Sequence, residues 1–150
     1  MSCIVIYCRA GFENDAAAEI THHASSLGVG GYVKTKPNSA LVAYHCYSHD
    51  EAEYLIKKIP FKDMVFARQW FVGTQVSKMP IDDRVGAICE AAQSFPLCGE
   101  LRVETADTND GKELSKFCKK ISNPLAKALE RQETLLRQQV KNRPTLHVLF

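Results

Sequence analysis

The first seventy-odd residues alternate between short β-branched runs and helix-friendly stretches, in an order that few folds accommodate. Residues 4–9 form an apolar run rich in β-branched side chains, and Ala10-Gly11 punctuates it. Residues 12–27 then carry Ala and Glu at helical spacing, and Gly28, Gly30 and Gly31 close that helix. Residues 32–36 and 40–47 read as two strands joined by the turn-forming trio Pro37-Asn38-Ser39. Asp50 is the expected N-cap of a helix over 51–59, which Pro60 ends, and residues 65–72 return to an aromatic, β-branched strand.

The resulting order, βαββαβ, is that of the split βαβ or ferredoxin-like sandwich. In it, two right-handed crossovers lay both helices on one face of a four-stranded antiparallel sheet. This reading assigns residues 1–76 to a first domain and residues 77–150 to a second. In the second, Asp82 is expected to cap a helix running to about residue 95, and 101–105 is a strand. Residues 111–133 are a long amphipathic stretch, where Asn123-Pro124 predicts a kink or a restart. A basic passage, Lys141-Asn142-Arg143-Pro144, leads into an apolar strand over 145–150. The fold class expected is therefore α+β: a ferredoxin-like sandwich followed by a second α/β unit that looks unfinished.

Composition narrows the setting. Six cysteines contain no CxxC pair and sit mostly in apolar runs, where thiols behave as small hydrophobes, so all six are expected to be reduced. No window approaches the roughly 18 apolar residues that a membrane helix needs, and the chain opens on a strand pattern without a basic leader. Both point to the cytoplasm. The net charge of +2 is too small to announce nucleic-acid binding, but its distribution is uneven. Residues 1–76 carry seven basic and seven acidic side chains, 77–111 three against seven, and 112–150 nine against three. The last quarter is the basic region.

Catalytic and ligand motifs are missing: there is no P-loop, strand-anchored GxGxxG, HExxH or nucleophile elbow. Gly28-Val29-Gly30-Gly31 follows a helix, the wrong context for cradling a phosphate, and reads as a C-cap. The adjacent His22 and His23 diverge from a helix and lack an i, i+4 metal-ligating partner. Asp82-Asp83 and the acids of residues 100–110 read as caps and solvated loops. No catalytic, cofactor-binding or metal-binding residue is assigned.

The informative stretch is 112–131. At helical pitch Leu114, Phe117, Cys118, Ile121, Leu125 and Leu129 fall on one side, and Lys112, Lys116, Lys119 and Lys120 on the other. Lys127 and Arg131 continue the basic side if the helical phase survives Pro124. A solvated lysine face normally intersperses glutamates as i, i+4 partners, and this one lacks them until Glu130. The stripe is therefore an expected RNA-binding surface, neutralising phosphates with little sequence discrimination. Arg102, Asn109, Asn123 and Arg143 are candidate hydrogen bonders beside it.

Several segments carry a family resemblance: Cys8-Arg9-Ala10-Gly11-Phe12-Glu13, Phe66-Ala67-Arg68-Gln69-Trp70-Phe71-Val72, Gly99-Glu100-Leu101-Arg102-Val103-Glu104-Thr105-Ala106-Asp107-Thr108-Asn109, and Lys112-Glu113-Leu114 with Lys116-Phe117-Cys118. In order and spacing the chain resembles the bacterial ribosomal RNA large-subunit methyltransferase M family over essentially its whole length. The resemblance implies a ferredoxin-like domain and a THUMP domain, an RNA-binding α/β module, ahead of a Rossmann-like methyltransferase domain. It also implies S-adenosylmethionine as the cofactor of the longer protein, and the ribose 2′-hydroxyl of a cytidine in 23S RNA as the methyl acceptor. Cofactor-binding and catalytic residues of the family lie beyond the position of Phe150, so none is carried over and this chain alone is expected to be inactive. The implied partners are 23S RNA and a catalytic domain in cis. The chain is expected to stop inside the THUMP domain, leaving a strand edge over 145–150 through which copies self-associate.

A different class of function stays open on the fold alone. Ferredoxin-like units also serve as small-molecule regulatory or protein-interaction modules. On that reading the lysines only solubilise.

Overall fold

The structure is a computed structural model that describes residues 2–137 and 142–150. Lys141, in the basic passage ahead of the last strand, lies outside the described residues. The chain divides into two compact units, Met1–Gln75 with Ala106–Thr108, and Val76–Thr105 with Asn109–Phe150.

The first unit runs β1 (Ser2–Tyr7), α1 (Glu13–Ser26), β2 (Gly31–Thr35), β3 (Leu41–Cys46), α2 (His49–Lys58), a 3₁₀ turn (Phe61–Asp63) and β4 (Gln69–Thr74). The sheet order is β2-β3-β1-β4 with every pairing antiparallel, which is the ferredoxin-like topology. Strand alternation sends Ile4, Ile6, Val42, Tyr44 and Cys46 to one face. There they meet Ala16, Ile20 and Ala24 of α1 and Ala52 and Leu55 of α2 in a closed core.

Local chemistry sets the ends of these elements. At the end of α1, Gly28 takes φ +73, its N–H reaches Ser25 O, and the Val29 N–H reaches Ala24 O at 2.9 Å. That is a Schellman termination, as the glycines predict. The cap of α2 is one of the corrections: Ser48, not Asp50, closes it. Ser48 Oγ accepts the Glu51 N–H and the Glu51 carboxylate accepts the Ser48 N–H, a full capping box. The fourth strand also starts later than residue 65. The Glu19 carboxylate accepts the N–H groups of Val65, Phe66 and Ala67 at 2.7 to 3.4 Å, so that segment has no donors left for a ladder. Trp70 packs against the core and Arg68 stays exposed.

The second unit runs α3 (Arg84–Ala92), β5 (Glu100–Glu104), α4 (Asn109–Glu113), α5 (Ser115–Arg131) and β6 (Thr145–Leu149). Asp83, one residue later than expected, caps α3 by accepting the Gly86 N–H at 3.0 Å. Strands β5 and β6 pair in parallel, Leu101 opposite Leu146 and Val103 opposite Val148. Ile121, Leu125 and Leu129 of α5 pack with Ile88, Cys89 and Ala92 of α3 and with Leu146. After α5 the chain reverses at Glu133 (φ +62), and Leu135 forms a parallel bridge to Cys98.

Two expectations for the amphipathic stretch change. First, it is two helices and not one. The Leu114 N–H bonds Gly111 O at 3.1 Å, an i→i+3 bond that tightens the chain between α4 and α5 and breaks the helical phase. Leu114, assigned to the apolar side, is consequently 41% exposed. Second, α5 continues through Pro124 without restarting. Proline there leaves the Lys120 carbonyl without its helical donor, and because Pro124 sits on the exposed side, solvent can satisfy that carbonyl.

Candidate nucleic-acid interface

Helix α5 builds the site. At about 100° per residue, Lys116, Lys119, Lys120, Lys127 and Arg131 fall within roughly 120° of one another, opposite the arc of Cys118, Ile121, Leu125 and Leu129. The apolar arc is buried and all five cations are exposed. None of the five has a carboxylate partner among the described residues. The one acid within their arc, Glu130, is held by Arg137 at 2.6 Å, so it does not neutralise the stripe. The unbroken helix through Pro124 keeps Lys127 and Arg131 in phase with the first three lysines.

The other candidates divide. Lys112 is exposed but stands on α4, across the break at Leu114, so helical phase does not align it with the stripe. Asn109 is the exposed first residue of the same short helix. Arg102 alternates with Leu101 and Val103, which pack on the α5 core, so it points from the opposite side of the strand and bonds Glu100 at 3.0 Å. Arg143 donates to Leu136 O at 3.3 Å and sits against Gly99, whose N–H bonds Pro144 O. Its visible role is to hold the entry to β6. Asn123 lies beside the stripe on α5.

Sequence reasoning missed the hydroxyls on the flank of this helix. Ser115 and Ser122, seven residues apart, fall between the cationic arc and the apolar one, next to Lys119 at the edge of the stripe. With Thr105 and Asn123 they line an open cleft of about 420 Å³. The signal was present as a helical period of small polar residues, but its meaning depends on β5 lying alongside.

Reactive groups do not gather. All six cysteines are buried and free. Burial pushes their thiols up, with Glu13 beside Cys8 and Glu51 beside Cys46 adding to it, and both of those reach about 11. At neutral pH these are protonated thiols packed as hydrophobes, not nucleophiles. No group of three or more His, Cys, Asp or Glu placed to hold a metal occurs among the described residues. Nor is any described helix long and apolar enough to cross a membrane.

Fold and site together define a class: a ferredoxin-like unit followed by an α/β unit that carries an exposed cationic helix. The same fold, with a TM-score of 0.55 at 15% identity, occurs in the crystal structure of TrmN from Thermus thermophilus, over 99% of this chain and 42% of that one. Residues 1–71 match the RlmM ferredoxin-like domain, and residues 83–150 match the N-terminal domain of ribosomal RNA large subunit methyltransferase M. The protein of that name from Pseudoalteromonas translucida is 62% identical over the whole chain, and those from Aeromonas hydrophila and Idiomarina loihiensis are 42% and 47% identical over 100% and 99% of it. This chain belongs to the ribosomal RNA large subunit methyltransferase M family and corresponds to its N-terminal region. It spans about 42% of the length of these relatives.

Proposed function

We propose that this chain is the RNA-gripping portion of an S-adenosylmethionine-dependent 23S RNA 2′-O-ribose methyltransferase, holding the substrate while a domain in cis performs the transfer. The observation that carries the proposal is the α5 stripe: five exposed cations on one arc, with the neighbouring acid engaged elsewhere. Such a surface follows a phosphate backbone and gives affinity without sequence discrimination. Methyl transfer requires the ribose hydroxyl to be placed in line with the donor methyl group, so positioning is what a gripping unit contributes. The names of the relatives support ribosomal RNA as the ligand, and the cytoplasm as the compartment follows from that substrate.

We place the cofactor outside this chain. The one glycine cluster, Gly28 to Gly31, terminates a helix and opens a strand, so it presents no helix N-terminus to a ligand. Binding of S-adenosylmethionine and the chemistry belong to the remainder of the longer protein. The isolated chain also has an exposed means of self-association, because among the described residues β6 pairs on one side only. Light scattering that finds a monomer at high concentration counts against that contact.

The test is a titration of a fluorescent 23S RNA hairpin with the unmodified chain and with Lys116→Glu, Lys120→Glu, Lys127→Glu combined. It is run at two salt concentrations, with circular dichroism to verify folding. Steep salt dependence in the unmodified chain and loss of about a hundredfold in the variant are expected, at roughly 1 kcal/mol for each reversed contact. Equal binding by both proteins overturns the assignment of the stripe. A chain that ignores RNA but responds to a metabolite is a regulatory module instead.

A further inference from the structure

The cleft on the flank of α5 has a lining that the stripe does not explain. Thr105, Ser115, Ser122 and Asn123 bring three hydroxyls and a carboxamide to its wall, and Lys119 adds a cation from the edge of the stripe. Val103 and Cys118 contribute apolar surface. A helical serine or threonine can return its hydroxyl to the carbonyl one turn back. On α1 this happens: Thr21 Oγ1 donates to Ala17 O at 2.7 Å and Ser26 Oγ to His22 O at 3.0 Å. On α5 it does not, and Ser115, Ser122, Asn123 and Thr105 have no side-chain hydrogen-bond partner among the described residues. The remaining polar group of the lining, Glu104, is already tied to His147 at 2.6 Å.

We infer that this cleft receives one splayed-out nucleotide of the RNA whose backbone runs along the lysine stripe, and reads the edge of its base. This rests on the RNA-gripping function proposed above and gives it the sequence discrimination that phosphate contacts lack. Proteins that recognise RNA by sequence take unstacked bases from loops and bulges and hydrogen-bond their edges. The cleft offers what that requires. At about 420 Å³ and open to the surface, it can be entered by a base from a strand that passes its mouth. Its donors and acceptors are not engaged in the fold, and hydroxyl and amide groups both give and accept. Lys119 belongs both to the lining and to the stripe, so a strand following the lysines passes the mouth of the cleft. The lining contains no aromatic ring, so the recognition is by edge hydrogen bonding and not by stacking.

The experiment uses the whole 150-residue chain and a set of 23S RNA hairpins, each with a single abasic nucleotide at a different loop position. Ser122→Met fills the cleft, and Ser122→Ala removes one hydroxyl while leaving the space; circular dichroism and melting confirm that both fold. For the unmodified chain, one abasic position is expected to weaken binding about tenfold. In Ser122→Met the intact hairpin binds about tenfold more weakly, the same abasic position has no further effect, and the salt slope is unchanged. Ser122→Ala loses about fivefold, the equivalent of one hydrogen bond near 1 kcal/mol. If Ser122→Met keeps both the affinity and the abasic profile of the unmodified chain, the cleft assignment is overturned and the stripe is untouched. If free nucleoside monophosphates bind the cleft without competing with the hairpin, it serves a metabolite and the inference is likewise overturned. If the unmodified chain binds no hairpin at all, the proposed function itself falls, and this inference with it.

Discussion

The two units differ in how the polar side chains of their helices are used. In the first, Glu13 is 4% exposed and its carboxylate accepts the N–H groups of Gly11 and Ala40, tying the β1–α1 loop to the start of β3. Glu19 does the same for residues 65–67, Ser48 and Glu51 cap each other, and Thr21 and Ser26 return to their own helix. In the second, the lysines, serines and asparagine of α5 stay outward and unengaged. A unit whose polar groups are committed to the fold is a scaffold. One that leaves them free on a rigid 17-residue helix is equipped to meet a partner.

Substitutions that separate stability from binding sharpen this contrast. The largest stability effect is expected at Leu125, which is fully buried where α5 meets the core of the second unit. Leu125→Ala should cost about 3 kcal/mol by opening a cavity, read as a fall in the urea midpoint of the second unit. Glu13→Gln should follow at about 2 kcal/mol, since the amide presents donors to backbone N–H groups that need an acceptor. Burial alone would raise the Glu13 carboxyl. The N–H groups of Ala40, Glu13 itself, Gly11 and Asn38 outweigh it and hold the pKa below the ordinary value. A carboxyl depressed in the fold stabilises above its unfolded pKa, so the advantage of the native protein over Glu13→Gln should be complete above about pH 5. It should shrink as the pH falls below about 4.5. A pH-independent difference between the two would contradict the carboxylate's role.

His45 breaks the pattern and offers a test of it. It is 3% exposed, stacks on Tyr32 at 4.9 Å, and neither ring nitrogen has a hydrogen-bond partner. Desolvation, then Lys34 and the chain terminus, hold its pKa below 6.5. The unfolded chain therefore takes up the proton first, and stability from this residue is lost as the pH falls below about 6.5. His45→Phe keeps the ring stack and should remove that part of the pH dependence in melting experiments between about pH 5 and 7 while leaving neutral-pH stability nearly unchanged. Smallest in stability is Lys116→Gln, Lys120→Gln, Lys127→Gln combined, within about 0.5 kcal/mol of the unmodified chain because all three are exposed. The same variant should lower the slope of log affinity against log salt by about 2, at roughly 0.7 for each lost phosphate contact on a single strand. A large loss of stability here would mean the lysines serve the fold, and the contrast between the units would collapse.

Much of this was legible along the chain. The order of strands and helices in the first unit, the Schellman end of α1 and the two faces of α5 all follow from periods of two and 3.6 and from the chemistry of glycine and proline. The misplaced features share a cause. The later start of β4 depends on Glu19, 46 residues from Val65, and the cap of α2 on a reciprocal pair at Ser48 and Glu51 that a search for a lone acid at Asp50 overlooks. The break at Leu114 depends on one i→i+3 bond from its N–H to Gly111 O, which the spacing of apolar residues does not record.

The sequence by itself determined that Lys116, Lys119 and Lys120 share one arc opposite the apolar residues, because a helix places side chains by their spacing; the structure carried that arc through Pro124 to Lys127 and Arg131 and left Lys112 on a separate helix. Only the tertiary structure decided that Glu130 is turned to Arg137, that Arg102 faces away with Glu100, and that β5 runs beside α5 to leave a polar cleft. These outcomes depend on groups brought together from distant parts of the chain or across a turn. Periodicity is a local property of the backbone and carries no record of which partner a side chain meets.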